Sequence, residues 1–145
     1  MTRPHVLLIA ATLAISSIAC AAPRAALDAA NPLARQSSLP FQYPAFDKIR
    51  DDDFAPAYAE GMRVQRAEID AIANNPKPAT FENTIVAMER SGQLLARVSN
   101  VFGNLSNANT NDTMQALDRE LAPQLAAHGD AIRLNEKLYQ RIESL

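Results

Sequence analysis

The sequence predicts an all-α fold, and three observations carry that prediction. Apolar residues recur at steps of three and four through most of the chain after residue 50, the period of one helical face. Prolines and asparagine clusters interrupt that period where helix-to-helix turns would fall. No run of alternating apolar and polar residues is long enough to make a strand. At 48% apolar residues the chain can bury a core and does not have the composition of a disordered protein.

The first residues read as an address. Arg3 is followed by an apolar run, residues 6–15, and then by small residues up to Ala22. A short positive start, a core of about 7–15 apolar residues and a small-residue exit mark a secretory signal peptide. The run is too short to span a membrane, which takes roughly 20 residues. Ala19-Cys20-Ala21 has the form of an ordinary cleavage site, giving a leader over residues 1–21. Ser17-Ile18-Ala19-Cys20 resembles a bacterial lipobox, giving a leader over 1–19 and a lipid on Cys20. Cys20 is the single cysteine, so no intrachain disulfide is expected. The expected location is exported and periplasmic, with a membrane reached only through that lipid.

Residues 22–50 read as a tether and extended arm, because Pro23, Pro32, Pro40 and Pro44 each remove an N–H and bias the preceding residue toward extended backbone. Leu39-Pro40-Phe41 and Pro44-Ala45-Phe46 supply apolar knobs to dock on the helices. Residues 51–145 form the helical region. Asp51, Asp52 and Asp53 suit a helix N-terminus, where the macrodipole favours negative charge. The first stripe is Phe54, Tyr58, Met62, Ile69 and Ile72, ended by Asn74-Asn75-Pro76-Lys77-Pro78. Thr80 is placed to cap a second helix with the stripe Phe81, Ile85, Met88, Leu95, Val98, Phe102 and Leu105. Gly92 falls where that stripe skips, which predicts a kink or a close helix crossing.

A turn is expected over Asn107-Ala108-Asn109-Thr110-Asn111, whose side chains favour local hydrogen bonds. Met114, Leu117, Leu121, Leu125 and Ile132 mark a third helix that Pro123 should kink or divide. Asn135 can cap a last helix with the stripe Leu134, Leu138, Ile142 and Leu145. That stripe meets no Gly, Pro or polar tail, so the expectation is a truncated chain whose residues fray from about Asn135 onward.

Chemistry is sparse. There are 14 Lys and Arg against 16 Asp and Glu. With Arg3 removed alongside the leader, 13 cations face 16 carboxylates, a formal −3 without a basic cluster. Nucleic-acid phosphates are therefore not an expected partner. His5 lies in the leader, and His128 is expected at a helix end or bend, bonded to free carbonyls. A helical zinc site needs His at i and i+4 with a Glu between, and the sequence holds no such pair. No catalytic or metal-ligating residue is thus assigned, and no cofactor is expected to bind these residues. One polar pattern stands out: Asn100, Asn104, Asn107 and Asn111 recur at steps of four, three and four. Amides both donate and accept, so this stripe can face a peptide, a neighbouring domain or water.

Taken in order, the residues resemble a known family. Asn31-Pro32-Leu33, Pro44-Ala45-Phe46-Asp47-Lys48-Ile49 and Asp53-Phe54-Ala55-Pro56-Ala57 are similar to the start of mature bacterial peptidyl-dipeptidases (dipeptidyl carboxypeptidases). The most specific run is Pro78-Ala79-Thr80-Phe81-Glu82-Asn83-Thr84-Ile85 followed by Glu89-Arg90-Ser91-Gly92, and the likeness continues to Leu134-Asn135. Gly103 departs from it, standing where the family often has an aromatic. The resemblance is to the thimet oligopeptidase family of zinc metallopeptidases. It implies a mostly helical protein of two lobes around a channel, acting on short oligopeptides. Zinc is implied for the full-length parent, held by a downstream His-Glu-x-x-His helix and a further Glu, with a metal-bound water as nucleophile. The segment here would be wall and rim, with the catalytic region as its missing partner. Two alternatives stand beside this reading: a free-standing, non-catalytic helical lipoprotein or binding module, and, within the family, an endo-acting oligopeptidase.

Overall fold

A computed structural model describes residues 26–145; the leader with Cys20 and the first tether residues lie outside them. The described residues form helices and turns and contain no strand, as the all-α expectation requires.

The arm is coiled rather than extended. Its prolines seed short turns, with 3-10 turns at Pro40–Gln42 and Phe46–Lys48. Asn31 anchors it: the side-chain oxygen accepts the Leu33 N–H at 2.8 Å, and the amide donates to the Asp53 carbonyl at 2.9 Å. That seating leaves Leu33 only 2% exposed. The expected knobs divide. Phe46 packs against the core, edge-on to Tyr43 at 5.5 Å. Leu39 and Phe41 do not dock; Phe41 is fully exposed, because left-handed backbone at Phe41 (φ 56°) and Gln42 (φ 58°) turns the tip outward.

Helix α1, Phe54–Ala73, is the spine. A 3-10 turn, Asp51–Asp53, leads into it, with the Asp53 carboxylate accepting the Arg50 N–H at 2.8 Å. The whole predicted stripe, Phe54, Tyr58, Met62, Ile69 and Ile72, is buried, joined by Ala57 and Gly61. Thr80 and Asn83 then cap reciprocally: the Asn83 N–H donates to Thr80 Oγ1 at 3.1 Å and the Thr80 N–H to Asn83 Oδ1 at 2.9 Å. A π-helical turn, Glu82–Val86, runs into the short α2, Ala87–Glu89. A π turn holds more residues than an α turn and rotates the inward face. Thr84 is consequently buried, Ile85 and Met88 are half-buried, and Phe81, expected in the core, is exposed.

Gly92 divides the predicted second helix. Its φ of 72° is left-handed, its N–H donates to the Glu68 carboxylate at 2.7 Å, and a Cβ there would stand 2.3 Å from the Gln65 amide. Helix α3, Gln93–Asn109, continues three residues into the expected turn. The close crossing is made elsewhere, at Gly61, where a Cβ would lie 2.9 Å from the Leu95 Cα. Two turns along α3 from Leu95, the Phe102 ring sits edge-on to Phe54 at 5.1 Å and to Tyr58 at 5.7 Å.

Asn111 caps α4, Asp112–Arg133, by accepting the Met114 N–H at 2.8 Å. Pro123 does not divide α4; it lies on the exposed face, where water can reach the carbonyl freed by the missing N–H. Asn135 caps α5, Glu136–Glu143, as expected, its side chain accepting the Leu138 N–H at 3.0 Å. The final stripe is not left without a partner. Leu138 is buried against Ile69 and Ile72, with Ile142 packed beside them, while Leu134 and Leu145 stay exposed. Arg141 latches α5 to the loop after α1 and to the π turn, donating to the Asn75 and Lys77 carbonyls at 3.0 and 3.1 Å and to Asn83 Oδ1 at 2.7 Å.

Two glycines give opposite expectations. Gly→Ala inside a helix normally gains up to about 1 kcal/mol. At Gly103 a Cβ meets nothing within 4 Å, so G103A should stabilise by about 0.5–1 kcal/mol. At Gly61 the Cβ meets backbone, and overpacking costs about 1–3 kcal/mol. G61A should therefore be a net loss of about 1 kcal/mol, because this cost exceeds the helix-propensity gain. Urea midpoints at unchanged m-value test the pair; two shifts of the same sign would contradict the crossing.

Candidate functional site

The polar stripe sits on the outer face of α3, opposite the buried Val98, Val101 and Phe102. Asn100, Asn104 and Asn107 are all exposed. The Asn104 amide donates to the Asn100 carbonyl at 2.8 Å, leaving its own oxygen outward. Asn111 belongs to the next turn, where it caps α4 and donates to the Asp51 carboxylate at 2.9 Å. The structure thus presents three amides together on one helix and commits the fourth to holding α4 against the start of α1.

On another side of α3 a cavity of about 380 Å³ opens beneath the arm. Arg35, Asp47, Lys48 and Arg97 are its charged lining. Arg97 is half-buried and donates through Nη2 to the Leu33 and Ala34 carbonyls at 3.2 and 3.4 Å, while its buried Nε has no partner. Burial lowers its pKa from the ordinary guanidinium value. Sequence reasoning passed over this residue, although the signal was readable: Arg97 falls three after Leu94 and four before Val101, a cation on an apolar face.

His128 is not at a helix end. It lies inside α4, buried, with Nε2 2.8 Å from Gln65 Oε1 on α1. An amide oxygen can only accept, so Nε2 carries the proton and the buried Nδ1 is left without a partner. Burial first, and the Arg66 charge second, lower its pKa from the ordinary imidazole value. Among the described residues no three His, Cys, Asp or Glu side chains come together to hold a metal ion.

The chain is 46% identical over 115 residues to the dipeptidyl carboxypeptidase of Salmonella typhimurium, an overlap covering 79% of this chain and 17% of that protein. Over those residues the chain is a homologue of the dipeptidyl carboxypeptidases. The dipeptidyl carboxypeptidase of Escherichia coli is 45% identical over a stretch of the same length and coverage. Oligopeptidase A of Escherichia coli is more distant, 21% identical over 106 residues, covering 73% of this chain and 16% of that protein. The chain therefore spans about a sixth of the length of the curated relatives it matches. No family model matches it. The likeness read from the arm and the Pro78–Gly92 region is thus borne out by whole-segment similarity to dipeptidyl carboxypeptidases.

The buried imidazole sets a pH dependence. Its folded pKa is lowered, so on acidification the unfolded chain binds the proton first. Its contribution is complete above the unfolded value of about 6.5 and is lost as pH falls from there toward the folded value. Unfolding free energy should be level from pH 8 to 7 and decline below about 6.5, with a slope of at most about 1.4 kcal/mol per pH unit. H128Q, which keeps an amide facing Gln65, should lose that decline; identical pH profiles for the two proteins would contradict the assignment.

Proposed function

We propose that the chain is a non-catalytic helical wall and rim segment of a peptidyl-dipeptidase, an enzyme that releases dipeptides from the C-terminus of oligopeptides. The observation that carries this reading is the 46% identity over 115 residues to a protein named for that activity. Its partners in this reading are the catalytic region of the parent and the short peptides that enter beside it. Zinc belongs to the family that the sequence resembles, but the described residues do not fit it: no donor cluster forms, and Gln65 engages His128 Nε2. In this reading the described residues shape the entrance for a peptide and take no part in breaking its bonds. The exposed amides of Asn100, Asn104 and Asn107 supply the peptide-facing surface, since each can both donate to and accept from an extended backbone. Arg3, the apolar run and the small residues up to Ala22 support export to the periplasm, with Cys20 as the lipid-bearing residue if the lipobox is used. Mass spectrometry of the exported product should find Cys20 or Ala22 first; cytoplasmic protein with residues 1–19 intact would overturn the export reading.

A chimera tests the wall assignment. The matching segment of the Salmonella typhimurium dipeptidyl carboxypeptidase is exchanged for the corresponding residues of this chain. The folded chimera should release dipeptides within about tenfold of the parent rate, while the 145-residue chain alone releases none, with or without added zinc. Replacing Asn100, Asn104 and Asn107 by Ala in the chimera should raise KM about 3–10-fold with little change in kcat, the size of one or two lost hydrogen bonds. A folded but inactive chimera, or an unchanged KM, would contradict the assignment.

A further inference from the structure

We infer that the cavity beneath the arm is a carboxylate-binding site centred on Arg97. Nothing in the likeness to the dipeptidyl carboxypeptidases assigns it; charge and burial do. A guanidinium partly withdrawn from water, with its Nε fully shielded, is best satisfied by an anion or a full set of hydrogen bonds. Arg97 has neither: its contacts are two backbone carbonyls at 3.2 and 3.4 Å, its Nε is unpartnered, and among the described residues it takes part in no ion pair. Residues 1–25 contain no Asp or Glu, so they hold no acidic side chain to complete it.

The cavity's charge points the same way. The chain carries a net −2, yet this hollow is lined by Arg35, Lys48 and Arg97 against the single carboxylate of Asp47. A larger hollow on the far face of α1, about 700 Å³, lacks this imbalance: Asp28, Glu60 and Asp70 face Arg63 and Arg66, and Glu60 pairs with Arg63 at 2.7 Å. A volume of about 380 Å³ lies in the range of small-ligand sites. Ser38 and Gln36, also in the lining, offer neutral donors beside the cations. A carboxylate is favoured because a guanidinium fork meets its two oxygens with paired hydrogen bonds. Two sources share this chemistry: a free small carboxylate that fills the cavity, or an Asp or Glu side chain presented by another polypeptide segment.

Titration of the full chain with sodium acetate and with dialanine, each against sodium chloride of equal ionic strength, tests the site. At ten times Kd the wild-type Tm should rise by about 5 °C above the chloride control. The resonance of the Arg97 Nε–H in 15N-labelled protein should move saturably with the same Kd. R97Q should lose both responses, and R90Q, at a distant exposed cation, should keep the Tm rise. Dialanine binding at least tenfold tighter than acetate identifies a free ligand that uses the whole cavity; equal affinities identify a carboxylate side chain. A Tm no different from chloride, a rise equal in R97Q, or a still Arg97 resonance overturns the proposal. The resonance measurement on wild-type protein decides the matter even where R97Q does not fold.

Discussion

At Gly61 the surface of α1 carries no side chain, and the backbone of α3 lies where one would stand, 2.9 Å from the missing Cβ at Leu95. This approach sets the separation of the two helices, and with it the space left for Phe54, Tyr58 and Phe102 to meet edge-on. Burying such side chains fully contributes about 1.5–3 kcal/mol each, so the aromatic cluster and its neighbours Val98, Val101, Met114 and Leu121 form the larger stabilising unit. The arm depends on the same unit, since Leu33 enters it and Asn31 bonds to the residue just before α1.

The other end of α1 repeats the role with different residues. Ile69 and Ile72 receive Leu138, and Arg141 converts that apolar contact into a fixed one by tying α5 to two carbonyls in the loop after α1 and to Asn83 in the π turn. Between the two clusters lies a polar seam: Glu68 takes the Gly92 N–H, and Gln65 covers Gly92 while reaching His128. The break in helical periodicity at Gly92 is thereby satisfied by side chains of α1. The exposed amides of α3 lie outside this framework, and Arg97 ties the arm to α3 through the Leu33 and Ala34 carbonyls.

The all-α class, the α1 stripe and the caps at Thr80 and Asn135 were legible because each depends on spacing or on a side chain bonding its own neighbours. What was not legible depends on partners far along the chain. Phe81 reads as core by period, yet a π turn after it rotates the face, and no local residue announces that turn. Pro123 reads as a break, but its position on the outer face of α4 is decided by which side packs on α1. The last stripe reads as unpartnered because Ile69 and Ile72 are more than sixty residues away from Leu138. The Asn stripe was legible as a spacing, and three of its members do share a face. Arg97 was visible as a cation in an apolar period, but its missing counter-charge is a fact of three dimensions.

Native-state hydrogen exchange tests the central claim, that α1 is the element on which the others depend. Backbone amides over residues 58–69 should be the slowest in the chain, opening only with global unfolding, and those of residues 139–143 should be protected through Leu138 and Arg141 rather than fraying. Exchange from the middle of α1 that is faster than from α4, or α5 amides exchanging as an unfolded segment does, would show that the packing is organised on some other element.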